Sequence, residues 1–262
     1  MKLRIFQIDS FTNQLFGGNP ACVVPLDYWL DDSILFNIAK ENAVSETAFF
    51  INKGTTIQLR WFTPEVEMDL CGHATLASAH CLKSILGYPD DEIIFETLSG
   101  NLKVTFKKEC YTLDLPSWMP QTAVLPEALL QSFSIVLVEV LKARDYILLY
   151  DKEEDIKNIS INRSLFDRTN LGTGGVIITA PGVQCDFVSR FFTPQASILE
   201  DPVTGSAHCS LIPFWSQKLG KKELLAFQLS ERKGVLHCID DGERVLISGY
   251  AKTYLEGSIY LA

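Results

Sequence analysis

Positive charge is scarce in this chain. It carries 23 lysines and arginines against 32 acidic residues, for a net charge of −9 and an isoelectric point near 5.0. Neutralising a phosphate backbone needs a basic face, so nucleic acid is excluded as a partner. A small anionic metabolite is not, because a few backbone N–H groups bind one locally. Long apolar runs are also lacking, and none approaches the ~20 residues of a membrane span. The start, Met1-Lys2-Leu3-Arg4-Ile5-Phe6-Gln7, turns polar at once and has no signal-peptide core. The expectation is a cytoplasmic protein with no membrane contact. The seven cysteines are odd in number and scattered, with no Cys-x-x-Cys. That argues against a disulfide framework and a structural zinc site, so no metal is expected and most thiols should be reduced and buried.

What is present is a packed chain that repeats itself. The hydrophobic share is 47% and the charged share 21% over 262 residues, enough for one large domain or two of about 130 residues. Phe62-Thr63-Pro64, Cys71-Gly72-His73-Ala74-Thr75 and Ser78-Ala79-His80-Cys81 form a first copy. Phe192-Thr193-Pro194, Asp201-Pro202-Val203-Thr204-Gly205 and Ser206-Ala207-His208-Cys209 form a second. Phe62 to Phe192 and Cys71 to Asp201 are each separated by 130 residues, Ser78 to Ser206 by 128. Aligned this way, Asp201 stands where Cys71 stands in the first copy. Two related halves facing each other put one reactive group on each side of a small molecule, which suits proton transfer at carbon.

Alternation predicts strands over 3–9, 21–25, 47–51, 57–62, 93–97, 102–106 and 111–115, with a helix over 32–43. A second series of strands is expected at 146–150, 175–180, 186–192, 225–230, 233–239, 244–249 and 257–261. Residues 127–142 read as a connecting helix. Residues 73–86 and 204–219 read as helices that are apolar on nearly every side, closed by Gly87 with Pro89 and by Gly220. Such a helix needs a sheet around it. The fold expected is therefore α+β: two similar domains, each a mostly antiparallel or mixed sheet wrapped around a central helix. The boundaries are 1–118, completed by about 250–262, and 119–249.

Both repeats place small residues at the start of the buried helix. Free N–H groups and the positive end of the helix dipole favour an anion there, and Gly72 and Gly205 allow close backbone approach. Ordinary helix capping by Thr204 and a tight turn at Gly72 are the structural alternative. Cys71 at a helix start would gain thiolate character, or it simply packs. His73 would bond or protonate a substrate, or cap the helix. Asp201 is an acid–base or orienting group, or the opening of an Asp-Pro turn. Glu46 precedes an apolar strand, either as a salt-bridged edge residue or as a base with a raised pKa. His80 and His208 read as satisfied core histidines. Gly172-Thr173-Gly174-Gly175 precedes a strand rather than following one, which removes the dinucleotide reading.

The segments Asp9-Ser10-Phe11 with Phe16-Gly17-Gly18-Asn19-Pro20, then Ser45-Glu46-Thr47-Ala48, Cys71-Gly72-His73-Ala74-Thr75 and Glu200-Asp201-Pro202-Val203-Thr204-Gly205-Ser206-Ala207 together resemble the PhzF-like family of phenazine-biosynthesis-type isomerases and epimerases. The resemblance implies the diaminopimelate-epimerase-like fold, a C-terminal strand that returns to complete the first domain, and homodimers. It implies a cofactor-free, metal-free isomerase in which Glu46 shuttles a proton on a carboxylic acid. His73, Asp201 and Ser206 would line the site, with Asn19, Cys71, Gly72, Ala74, Thr75, Thr204 and Gly205 among the substrate-binding positions. Related epimerases use a cysteine from each domain, whereas this chain has Cys71 and, in the alignment above, Asp201. The competing readings are an epimerase using Cys71 with Asp201 or Glu46, and a metabolite-binding protein without turnover.

Overall fold

The computed structural model describes residues 1–261, and the chain divides into two compact units. The first takes Met1–Leu115 and the segment from Leu246 onward; the second is Pro116–Val245.

The first unit begins with β1 (Lys2–Ser10), β2 (Asn19–Pro25), α1 (Asp32–Asn42), β3 (Glu46–Asn52), β4 (Ile57–Phe62) and the short β5 (Glu67–Met68). Helix α2 (Gly72–His80) follows, then β6 (Glu92–Thr97), β7 (Gly100–Lys107) and β8 (Cys110–Pro116). Strand β1 is antiparallel to β2, β2 parallel to β3, β3 antiparallel to β4, β4 parallel to β6, and β6 antiparallel to β7. The two-residue periodicity sorts side chains onto two faces. Val24, Phe49, Ile51 and Phe62 meet Leu35, Ile38 and Ala39 of α1 on one face. The opposite parity, Asn19, Ala21, Val23, Glu46 and Ala48, belongs to the face of α2, which packs on β1, β2 and β3. Gly72–Ala79 are all buried, and their small side chains let the strands approach closely. The predicted helix over 73–86 is thus present, but Cys81–Ile85 winds as a π-helix before Gly87, with φ +72°, ends it.

The second unit runs β9 (Gln121–Thr122), α3 (Glu127–Leu130), β10 (Glu139–Lys142), β11 (Tyr146–Leu149), α4 (Glu153–Asn158), α5 (Arg163–Phe166), β12 (Val176–Pro181), β13 (Phe187–Phe192) and β14 (Glu200–Asp201). Then come α6 (Gly205–Leu219), β15 (Glu223–Gln228), β16 (Gly234–Asp240) and β17 (Arg244–Gly249), along which the chain passes back to the first unit. Its last strand, β18 (Ala251–Tyr260), pairs antiparallel with β1. Strand β18 is longer than the 257–261 read from the sequence.

The ladder of the first unit recurs in the second. Strand β10 is antiparallel to β11, β11 parallel to β12, β12 antiparallel to β13, β13 parallel to β15, and β15 antiparallel to β16. Each buried helix follows a two-residue strand, β5 or β14. In α6 the residues Gly205–Pro213 are buried, and Trp215 stacks on Phe187 with ring centroids 5.6 Å apart.

The helix expected over 127–142 is a correction. Only Glu127–Leu130 is helical, and Glu139–Lys142 pairs with both β9 and β11. Leu129, Phe133, Leu137 and Leu141 recur every four residues, a spacing that is also two strand periods. The β-branched Val136, Val138 and Val140 between them decide for the extended chain.

Candidate active site

Three side chains converge at the start of α2. His73 Nε2 lies 3.1 Å from Glu46 Oε2, and Cys71 Sγ lies 3.6 Å from His73 Nδ1. Asn19 Nδ2 approaches the same Nδ1 at 3.0 Å, and Ser10 Oγ donates to the His73 carbonyl at 2.8 Å. The fold explains the meeting. Parallel pairing of β2 with β3 sets Ala21 opposite Glu46, and parity aims Asn19 and Glu46 at α2. Cys71 is the N-cap of α2, with extended backbone, and Thr75 Oγ1 donates to its carbonyl. Cys71 and His73 are buried and Glu46 is 12% exposed. Glu46 Oε2 and His73 Nε2 are within ion-pair distance, yet among the described residues neither has an aligned hydrogen bond.

Burial raises the Cys71 pKa, the Glu46 carboxylate raises it further, and His73 opposes both. Cys71 is therefore a thiol near neutral pH, and of the two readings of this helix start the packing one fits its burial: desolvation outweighs the helix N-terminus. For His73, burial alone favours the neutral ring, but Cys71 and Glu46 outweigh it and carry its pKa well above the ordinary range. The Cys71 part exists only when the thiol has ionised, so near neutral pH Glu46 is the persistent partner. An imidazolium there needs an acceptor at Nδ1, the ring nitrogen beside which the Asn19 amide lies.

The second unit has its own group at the start of α6. Thr204 is the N-cap, but its hydroxyl makes no capping bond and instead donates to Asp201 Oδ2 at 2.5 Å. Gln228 is fully buried and binds this turn from below, accepting from Thr204 N–H at 2.8 Å and donating to the Asp201 carbonyl at 2.8 Å. Ser206 is buried in the first turn of α6, while Asp201 is half-buried.

The profile of phenazine biosynthesis-like proteins, PhzC-PhzF, matches residues 8–257. The chain belongs to that family. An uncharacterized isomerase of Pseudomonas aeruginosa is 47% identical over 262 residues, covering 100% of both chains. A crystal structure of a PhzF-family protein from Enterococcus faecalis is 41% identical, covers 100% of both chains and superposes with a TM-score of 0.93. A hydroxyproline epimerase from Agrobacterium vitis, only 9% identical, shares the fold with a TM-score of 0.63 over 98% of this chain and 92% of its own. The α+β, epimerase-like fold read from the sequence is thus present, and family membership supports an isomerase-class activity.

Within this family member the internal repeat needs a different register. Phe62 pairs with Glu67 in the first unit and Phe192 with Glu200 in the second. The helices begin at Gly72 and Gly205, capped by Cys71 and Thr204. Structurally, then, Cys71 corresponds to Thr204, His73 to Ser206, and Met68 to Asp201. The alignment of Cys71 with Asp201 is corrected. Ser78-Ala79-His80 lies at the end of α2, whereas Ser206-Ala207-His208 opens α6, so that shared string is not an equivalence. By the same logic Phe62 opposes Thr47 and Phe192 opposes Val176, which places Gly175 where Glu46 stands. A Cβ on Gly175 would come within 2.4 Å of the Phe191 ring and 2.8 Å of the Phe192 carbonyl oxygen.

Several positioning residues escaped the sequence reading. Arg60 binds both oxygens of Glu67 at 2.7 and 2.8 Å, and Arg190 binds both oxygens of Glu200 at the same two distances. These forked pairs tie β5 and β14 to the strands beside them just before each helix. The signal was Arg two residues before each Phe-Thr-Pro. Gln228 left no signal beyond one polar residue ending an apolar strand. His80 is satisfied by Tyr111 and Thr253, as expected, whereas among the described residues His208 bonds through Nδ1 alone, against the Thr204 carbonyl. Among the described residues no helix is long and apolar enough to cross a membrane.

Proposed function

We propose that the chain is a cofactor-independent isomerase that moves a proton on a small carboxylate-bearing metabolite, with Glu46 taking and returning the proton. The observation that carries this reading is the Glu46–His73 contact in a unit whose structural repeat has Gly175 at the matching place. A single carboxylate suits removal and return of a proton along one face of a substrate. Two-sided chemistry with matched thiols is disfavoured, because Thr204 stands where Cys71 has its counterpart.

His73 holds Glu46 and, as an imidazolium, offsets charge that develops on the substrate. The N–H groups of Gly72, His73 and Ala74 open α2, and the helix dipole favours negative charge there. Thr75 fixes the Cys71 carbonyl and so the entry angle of that turn. For the second unit the proposal assigns substrate binding to Asp201, Thr204, Gly205 and Ser206. Asp201→Asn and Ser206→Ala test that by comparing KM with kcat.

The experiment is incubation in D₂O with small unsaturated and amino carboxylic acids, followed by mass spectrometry. Deuterium entering the substrate with the parent, and not with Glu46→Gln, is expected. Exchange undiminished in Glu46→Gln would overturn the assignment. A second reading has one specific support, the 3.6 Å contact between Cys71 and His73: an epimerase in which the thiol is the second acid. Deuterium uptake with inversion at the same carbon would select it. Ligand-induced stabilisation without exchange across the panel would select a binding protein.

A further inference from the structure

We propose that Glu46, Cys71 and His73 form a three-ligand site for a divalent zinc ion, which would act as a reversible blocker of the proton-transfer group. The blocking role rests on the reaction proposed above, whereas the binding does not, since it is read without turnover.

The donor set is one carboxylate oxygen, one imidazole nitrogen and one thiol sulfur, all within 4.8 Å of one another. Oxygen, nitrogen and sulfur together suit zinc, and three protein ligands with one open position is the arrangement of zinc sites that are not structural. A tetrahedral ion with Zn–S about 2.3 Å and Zn–N about 2.0 Å holds its sulfur and nitrogen roughly 3.5 Å apart. Cys71 Sγ and His73 Nδ1 are 3.6 Å apart already. One ring nitrogen serves one ion, so the carboxylate closes the set by side-chain rotation.

A second observation points to a ligand beside the same ring. His73 is only 2% exposed, and among the described residues its Nε2 has no aligned hydrogen-bond partner, nor has Glu46 Oε2 opposite it. Buried polar atoms normally find one, and drawing Glu46 onto an ion held at Nδ1 would supply the carboxylate oxygen's partner. The ligands come from β3, the N-cap of α2 and its first turn, so the site carries no Cys-x-x-Cys signature. The sequence argument against structural zinc stands, because this site would not hold the fold together.

Binding replaces protons and transfers no electrons. The Cys71 thiol loses its proton to become a thiolate ligand, and any imidazolium proton on His73 also leaves. Affinity should therefore fall as pH falls, by about tenfold per unit for each proton released.

The test uses the full chain freed of metal with a chelator. Cobalt(II) titration should show one ion per chain and a thiolate-to-cobalt charge-transfer band, which zinc then displaces. The band should vanish in Cys71→Ser and persist in Cys110→Ser and Cys185→Ser, the two half-buried cysteines. Zinc affinity, measured against a chromophoric chelator, should drop by more than about tenfold in the isosteric Glu46→Gln, a loss seen even for outer-shell partners. Absence of the band in the parent, or a band and affinity unchanged by either variant, would overturn the inference. Circular dichroism of each variant separates lost ligands from lost fold. Zinc failing to bind while Glu46→Gln abolishes deuterium exchange would sink this site and leave the proposed reaction intact. The converse result would do the opposite.

Discussion

Glu46 and His73 meet at 3.1 Å although they belong to different elements, the first residue of β3 and the second residue of α2. Burial favours the neutral ring, and the carboxylate beside it favours the imidazolium.

The first prediction concerns the proton on that ring. The folded-state pKa of His73 is raised well above 6.5. A raised value means the folded protein holds the proton more tightly than the unfolded chain. The resulting stability is full below about pH 6.5, the value for an unperturbed histidine, and is lost as pH rises through the folded pKa. Heteronuclear NMR should find a His73 midpoint above 6.5 in the parent. In Glu46→Gln its midpoint should move down. A parent His73 that titrates at or below 6.5 would contradict the account.

A second histidine works in the opposite direction. His208 is fully buried, and burial lowers its pKa to about 4, only partly countered by the Thr204 carbonyl. The neutral ring donates from Nδ1 to that carbonyl. Because the folded value is depressed, its stability is present above about pH 6.5 and is lost as pH falls towards 4. The loss is on the order of 3 kcal/mol. Urea unfolding between pH 7 and 4 should therefore be steeper for the parent than for His208→Asn, which keeps a donor near Nδ1. Equal slopes for the two proteins would remove His208 as the cause.

The third prediction tests the asymmetry of the two units. Gly175 stands at the register position of Glu46, with the Phe191 ring where a Cβ would go. Gly175→Ala should cost about 1–3 kcal/mol through overpacking, lowering Tm by several degrees. Calorimetry returning a parent-like Tm would show that the second unit accommodates a side chain there. The argument for a carboxylate in one unit only would then lose its steric basis.

Strand alternation was strong enough in the sequence to mark β2, β3 and β4, and helices apolar on all sides announced α2 and α6. The equivalence of the two halves was harder to read. Ser-Ala-His-Cys occurs twice by letter, but the helices begin at Gly72 and Gly205, so the true register comes from Phe62–Glu67 and Phe192–Glu200 pairing. Glu46 and His73 were each singled out, yet their contact depends on β2 and β3 being parallel, which no local pattern encodes. The Cys71 thiol was left between reactive and packing readings because a sequence shows a helix start but not the depth at which it is buried. The 127–142 segment was misread because a repeat of four satisfies helix and strand alike.

The last prediction separates the two acid–base candidates. Gln at position 46 keeps the shape of Glu and its place beside His73 but neither accepts nor returns a proton. General acid–base catalysis contributes about 10²–10⁴-fold, so Glu46→Gln should slow deuterium exchange by at least that order while ligand binding stays within a few-fold. Cys71 is buried, and its pKa is raised by that burial and by Glu46, which leaves it a poor base near neutral pH. Cys71→Ala should therefore slow exchange far less than Glu46→Gln. The comparison is made on one substrate, in D₂O, with both variants checked for parent-like unfolding. If Cys71→Ala loses as much rate as Glu46→Gln, the thiol takes part in proton transfer and the epimerase reading moves ahead. If Glu46→Gln exchanges at the parent rate, the base is to be sought in His73 and Asp201 instead.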